Sequence, residues 1–189
     1  MYMFFDTETT GTPRDYNGRI TDLDNWPRVI QLAWQLADQE GNLVQERTFL
    51  VKPDGWVIPK EKFWIDNEFS TEQNEKEGHE MSELLDVFIS DYEQCELLVA
   101  HNLKFDHPVL SAEMLRYGKK SSRRIDKFCT MLSTVDYCQL PGSYRFKWPK
   151  LQELHKKLFG KEFDDAHDAG ADVTATRECF FELKKRGII

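Results

Sequence analysis

Apolar and polar positions alternate with two different periods along this chain, and the change of period divides it. Residues 1–6 form a short apolar run leading into a Thr-Thr-Gly turn, the pattern of a buried strand that delivers side chains to a sheet edge. Residues 12–27 are polar, with Gly18 and two prolines, and read as a long loop. Residues 28–38 (RVIQLAWQLAD) are apolar with mixed period, a turn follows at Glu40-Gly41-Asn42, and 43–52 (LVQERTFLVK) alternate, so the pair reads as two strands of a hairpin. Residues 61–80 are acidic and poor in aliphatics, a loop with short helical pieces. Helical spacing returns at 82–92, with Ser82 as its candidate cap. A four-residue apolar run at 97–100 predicts another buried strand. Helices are predicted over 108–117, with Pro108 in the first turn and Gly118 closing it, over 149–159 ending at Gly160, and over 171–185 ending before Gly187. Residues 125–137 fit a strand that continues as a helix. Strands dominate the first third, and strand and helix alternate afterwards.

Composition narrows the class. A chain of 189 residues supports one well-buried core, so a single domain over 1–189 is expected. Hydrophobic residues make up 40% and charged ones 31%, which excludes a disordered chain. No apolar run spans a bilayer and no cleavable leader pattern is present, so the expectation is a cytoplasmic protein with no membrane partner. Cys95, Cys129, Cys138 and Cys179 are widely spaced and predict reduced packing thiols, not a metal ribbon or disulfide framework. The net charge of -8 is unevenly spread: residues 1–100 hold 21 Asp/Glu against 8 Lys/Arg, residues 101–189 hold 12 against 17. Lysines and arginines bunch at 119–127 and again at Lys147, Lys150, Lys156, Lys157 and Lys161. These clusters predict either a basic face for a polyanion or a solvated surface.

The chemistry resides in three segments: Asp6-Thr7-Glu8-Thr9-Thr10-Gly11, His101-Asn102-Leu103-Lys104-Phe105-Asp106 and His167-Asp168-Ala169-Gly170-Ala171-Asp172. Asp6 and Glu8 share one face of an extended chain, and two carboxylates side by side after an apolar run repel each other unless a cation neutralises them. In the second segment Asp106 either contributes to that cluster or caps the helix that contains Pro108. In the third, His167 and Asp172 would diverge by roughly 140° on one continuous helix. They meet only if His167 precedes the helix, with Asp165 or Asp168 as the cap. Together the segments supply four carboxylates and one histidine, a set suited to metal-assisted phosphodiester hydrolysis, in which carboxylate-held divalent ions neutralise phosphoryl charge and activate water.

In combination, the three segments resemble the motifs of the DEDDh family of 3′-to-5′ exonucleases, which includes epsilon proofreading subunits of bacterial replicative polymerases and ribonuclease T. Residues 6–11 read as the family's Asp-x-Glu-Thr-Thr-Gly, residues 101–106 as its His-Asn-x-x-Phe-Asp, and His167 precedes Asp172 by five. The resemblance implies an α/β fold of the ribonuclease H-like type, a central mixed sheet flanked by helices. It implies Asp6, Glu8, Asp106 and Asp172 as ligands of two Mg²⁺ ions, with Mn²⁺ able to substitute at these hard oxygens. It implies His167 as the general base and nucleoside 5′-monophosphates as products. Thr9, Thr10, Gly11, Asn102 and Phe105 correspond to family positions near the terminal nucleotide.

The chain departs from the commoner pattern in the longer 12–27 loop and in the aromatic, acidic 56–80 segment, and it ends just after its last helix, which favours a stand-alone nuclease over a polymerase-bound one. The five tryptophans Trp26, Trp34, Trp56, Trp64 and Trp148 are candidates for base stacking but are mostly expected to be core or loop anchors. The acidic run 61–96 is expected to lie away from a nucleic-acid groove. The reading is a metal-dependent 3′-to-5′ exonuclease acting on single-stranded DNA or DNA ends. RNA trimming is the nearest alternative, and a catalytically silent binding module on the same fold is the alternative of another class. A polymerase is a possible protein partner.

Overall fold

The computed structural model describes residues 1–189 and builds them around a five-stranded mixed sheet. Strands β1 (Tyr2–Thr9), β2 (Val29–Ala37) and β3 (Leu43–Leu50) are antiparallel neighbours, while β4 (Leu97–Ala100) and β5 (Asp126–Cys129) run parallel to β1 on its other side, giving the order β3-β2-β1-β4-β5. β1 pairs with both β2 and β4, and β2 is buried at every position, which explains an apolar run interrupted only by Gln31 and Gln35, two buried and hydrogen-bonded glutamines. Its alternate residues serve two layers. Leu32, Trp34 and Leu36 join Met3, Phe5 and Leu98 against helices α3 (Met81–Tyr92) and α4 (Leu103–Arg116). Ala33 and Ala37, with Phe4 and Val99, pack on helix α8 (Ala169–Lys185) through Val173 and Phe180.

Short helices fill the connections. α1 (Lys62–Asp66) and α2 (Thr71–Glu77) lie in the segment after β3, and that segment is fastened to the sheet by buried Asn74, whose amide donates to the Ile30 and Val51 carbonyls. α5 (Thr130–Ser133) and α6 (Val135–Cys138) follow β5, and α7 (Leu151–Phe159) packs with α8 through Leu154, Leu158, Cys179 and Leu183. The four cysteines are free thiols. No helix is long and apolar enough to cross a membrane.

Several boundaries differ from the sequence-based expectation. β1 does not stop at Asp6 but continues to Thr9, because the polar residues Thr7, Glu8 and Thr9 still pair with β2. Helix α3 starts at Met81 with Glu80 as its N-cap, which places Ser82 inside the first turn where it caps nothing. Helix α4 starts at Leu103, five residues before Pro108, so the proline sits within the helix and not at its start. Pro108 there forfeits one helical hydrogen bond. The earlier start carries Asp106 into the first turn of α4 and leaves Asn102, left-handed at φ 72°, as the N-cap.

Candidate active site

The ends of the parallel strands β1 and β4 open on the same edge of the sheet, the place where α/β folds leave a crevice. Asp6 and Glu8 project from the face of β1 that α8 covers, following Phe4 at intervals of two. Thr7, pointing the other way, donates from Oγ1 to Oδ1 of Asp106 at 2.8 Å and fixes that buried carboxylate on the first turn of α4. Asp172 arrives on the first turn of α8. Four carboxylates from three distant segments thus share one site.

Their electrostatics record the crowding. Burial, and then the charges of Asp106, Asp172, Glu8 and Asp168, hold the Asp6 carboxyl well above the ordinary carboxylate range. Glu8 is pushed up to about 9, chiefly by burial and next by Asp172 and Asp106. Burial raises Asp106 to about 7 against the opposing Thr7 hydrogen bond, and Asp172 to about 7. Such a group holds protons near neutrality unless a cation replaces them. Every carboxylate oxygen here is a hard donor, so the set fits an ion such as Mg²⁺ or Mn²⁺.

His167 lies just before α8, with a left-handed backbone at φ 73°. Asp168 is the helix cap, accepting from the Ala171 N–H, which leaves the imidazole free of the helix. One ligand atom from each of Glu8, His167 and Asp172 falls within 4.8 Å of the others. The His167 N–H also donates to Asp172 Oδ2 at 3.4 Å. Partial burial, then the nearby Lys150 ammonium, lower the imidazole's pKa, so the ring is neutral and able to accept a proton at pH 7 and above.

The remaining positions identified in the sequence separate into two groups. Thr9, Gly11 and Phe105 line a cavity of about 330 Å³ beside Glu8. Thr10 turns away, its N–H and Oγ1 both engaged with the backbone of Arg28. Asn102 makes no side-chain cap and borders no such cavity.

The structure also gives residues roles that the sequence did not assign them. Phe63 and Trp64 of α1 form the far wall of the Glu8 cavity. Trp64 donates from Nε1 to the Thr9 carbonyl at 3.0 Å, and Phe63 meets His167 edge-on at 5.2 Å between centroids. The expectation that the acidic 61–96 run lies away from the groove is therefore wrong for its first residues, because two aromatic contacts outweigh the charge that suggested distance. Gln31 of β2 donates to Asp168 Oδ2 at 2.8 Å and accepts from the Ala169 N–H at 2.9 Å, clamping the start of α8. His101 is buried and bridges Thr130 Oγ1 and the Pro149 carbonyl, with burial lowering its pKa to about 4. It is a neutral strut. Of the tryptophans, Trp26 and Trp34 are buried and unavailable to a base, whereas Trp148 is 58% exposed.

An exonuclease family model, RNase_T, matches residues 3–180. No curated protein matches significantly. Among solved structures, E. coli exonuclease I in complex with a dT13 oligonucleotide superposes with a TM-score of 0.74 at 21% identity, over 98% of this chain and 41% of that one. The zinc-bound form of the E. coli exonuclease I–ssDNA complex gives 0.73 at 22% identity over 98% and 40%, and the complex with a dA16 oligonucleotide gives 0.75 at 20% over 98% and 41%. The chain spans about two fifths of the length of these proteins, and the likeness is one of fold.

Proposed function

Because the chain belongs to the RNase_T exonuclease family, as a member of its DEDDh 3′-to-5′ branch, we propose that residues 1–189 act as one exonuclease domain that removes nucleoside 5′-monophosphates from the 3′ ends of single-stranded DNA. One observation carries the reading: Asp6, Glu8, Asp106 and Asp172 converge from three segments into a cluster whose carboxyls are all raised in pKa and lack any neutralising side chain. A binding module gains nothing from such mutual repulsion, whereas a centre that takes up divalent cations requires it. The similarity in fold to exonuclease I, solved with dT13 and dA16, supports DNA as the polymer.

In this reading the four carboxylates hold two Mg²⁺ ions, with Mn²⁺ as a substitute. The ions supply charge neutralisation at the scissile phosphate. His167, neutral and next to Glu8 and Asp172, takes the proton from the attacking water. The cavity between Phe105 and the α1 aromatics receives the terminal nucleotide, with Thr9 and Gly11 at its floor.

The test is metal-dependent digestion of matched 5′-labelled single-stranded DNA and RNA oligonucleotides, resolved to single nucleotides, with Asp6→Ala as the contamination control. A ladder shortening from the 3′ end, faster on DNA, is the expected result. A faster RNA ladder would reassign the substrate, and no cleavage of either would sink the reading.

A further inference from the structure

Residues 141–150 (PGSYRFKWPK) hold more exposed aromatic surface than any other stretch of the chain. Eight consecutive residues, 141–148, are exposed. Tyr144 is 100% exposed, Phe146 43% and Trp148 58%, and none of the three packs on another ring. Large aromatics at i, i+2 and i+4 left in water run against their burial tendency unless they serve a partner.

The segment is nonetheless a built feature. Pro141 and Phe146 form a β-bridge, the Lys147 N–H donates to the Leu140 carbonyl at 3.0 Å, and a Cβ at Gly142 would collide with the Arg145 carbonyl oxygen, so the turn requires that glycine. Its base is tied to the active site. His101, the first residue of the second motif, holds the Pro149 carbonyl at 3.0 Å, and Lys150 follows immediately, near His167.

Charge identifies the partner class. Of the basic cluster in this region, Lys147 and Lys156 are neutralised by Glu153 and Glu162, while Arg145 and Lys150 have no ion-pair partner. The arm thus sets one unpaired cation, Arg145, between bare aromatic faces and a second, Lys150, at its base, close enough to His167 to act on it electrostatically. That combination matches an unpaired nucleic-acid strand, whose bases stack and whose phosphates need cations. A protein partner would account for the aromatics but not for the position beside His167.

We propose that the 141–150 arm is a secondary binding surface for single-stranded nucleic acid, holding the strand upstream of its scissile 3′ end by stacking on Tyr144, Phe146 and Trp148 and by phosphate contact with Arg145 and Lys150. The proposal rests on the exonuclease reading for the direction of the strand, but binding tests it separately from cleavage. Fluorescence anisotropy would compare 5′-fluorescein-labelled dT12 and dT3, in EDTA at pH 6.5 and low salt, on the wild type and on the Tyr144→Ala/Phe146→Ala/Trp148→Ala variant. Stacking is worth about 1–3 kcal/mol per base, so the dissociation constant for dT12 should rise at least ~10-fold more than that for dT3. Tyr144→Ala alone, at a wholly exposed position, should cost about 5-fold on dT12. Replacing all three by other aromatics should restore binding. Arg145→Ala should reduce the salt slope by about 0.7. Equal losses on both lengths, a single-variant loss under about 2-fold, or no dT12 binding by the wild type would overturn the proposal. Arm-dependent dT12 binding without cleavage in Mg²⁺ or Mn²⁺ would sustain the arm and overturn the exonuclease reading instead.

Discussion

Each carboxylate in the cluster has its own support, and substitutions should separate their roles. Asp6 faces four other acidic groups with no hydrogen-bonded partner of its own, so Asp6→Ala should remove turnover by about 10³-fold, on the scale of losing a preorganised electrostatic group, while circular dichroism stays unchanged. His167→Ala should lower kcat by about 10²–10⁴-fold, the range for a positioned base, with metal still bound in calorimetry. A loss of metal affinity in that variant would instead make His167 a ligand, a role that its proximity to Glu8 and Asp172 permits. The wild-type rate should also fall on acidification as the imidazole protonates, with a midpoint below the ordinary histidine value. At pH 8 Glu8, pushed up to about 9, must take up a proton on folding, and Glu8→Gln removes that cost, so it should raise the thermal midpoint of the metal-free protein at that pH. A gain on the order of 1 kcal/mol corresponds to about 2–4 °C. These motif residues were legible in the sequence because their types and spacing are unusual. Gln31 and Phe63 were not, nor was the buried bridging role of the motif residue His101, since nothing local distinguishes a buried glutamine that clamps a helix 137 positions away from any other strand residue.

At the scale of elements, the site depends on two docked pieces. The start of α8 is held by Gln31, and replacing this residue by leucine would strand the partly buried Asp168 carboxylate and Ala169 N–H. Gln31→Leu should therefore cost about 1–3 kcal/mol in denaturant unfolding and lower kcat with it, because Asp172 and His167 flank that clamp. α1 is held over the Glu8 cavity by Trp64. Loss of one hydrogen bond in Trp64→Phe is worth about 1 kcal/mol, which predicts a KM raised about 5-fold with a smaller change in kcat. Periodicity identified most elements, including β2, α7 and the strand-to-helix passage from β5 into α5. It failed where polar residues fill regular structure: the Thr-Glu-Thr end of β1 extends the strand by pairing, and the first turn of α4, with Pro108 soon after it, looks like a loop because its polar groups face the site. The placement of 61–69 was not readable either, since it rests on contacts between residues such as Trp64 and Thr9 that lie 55 positions apart.

For the whole molecule, the carboxylate cluster couples folding to pH and to cations. Folded-state pKa values raised above those of the unfolded chain mean that the native protein binds more protons than the unfolded one between about pH 5 and 9, so metal-free stability declines as pH rises through that window. A divalent ion such as Mg²⁺ taken up by the native cluster would displace those protons, so the gain in thermal midpoint on adding Mg²⁺ should grow from pH 5.5 to pH 8.5. Calorimetric titrations in buffers of different ionisation heat should register proton release. A gain independent of pH would show that the ion binds elsewhere.

The same convergence has a consequence for the life of the chain. Asp6 precedes Asp172 by well over a hundred residues, and the helix that carries Asp172 docks on strands completed more than a hundred residues earlier. A chain emerging from the ribosome therefore has no assembled cutting centre while it sits beside messenger and ribosomal RNA. The cluster is complete only once α8 lies against the sheet, so a fragment cut off before that helix should be inert.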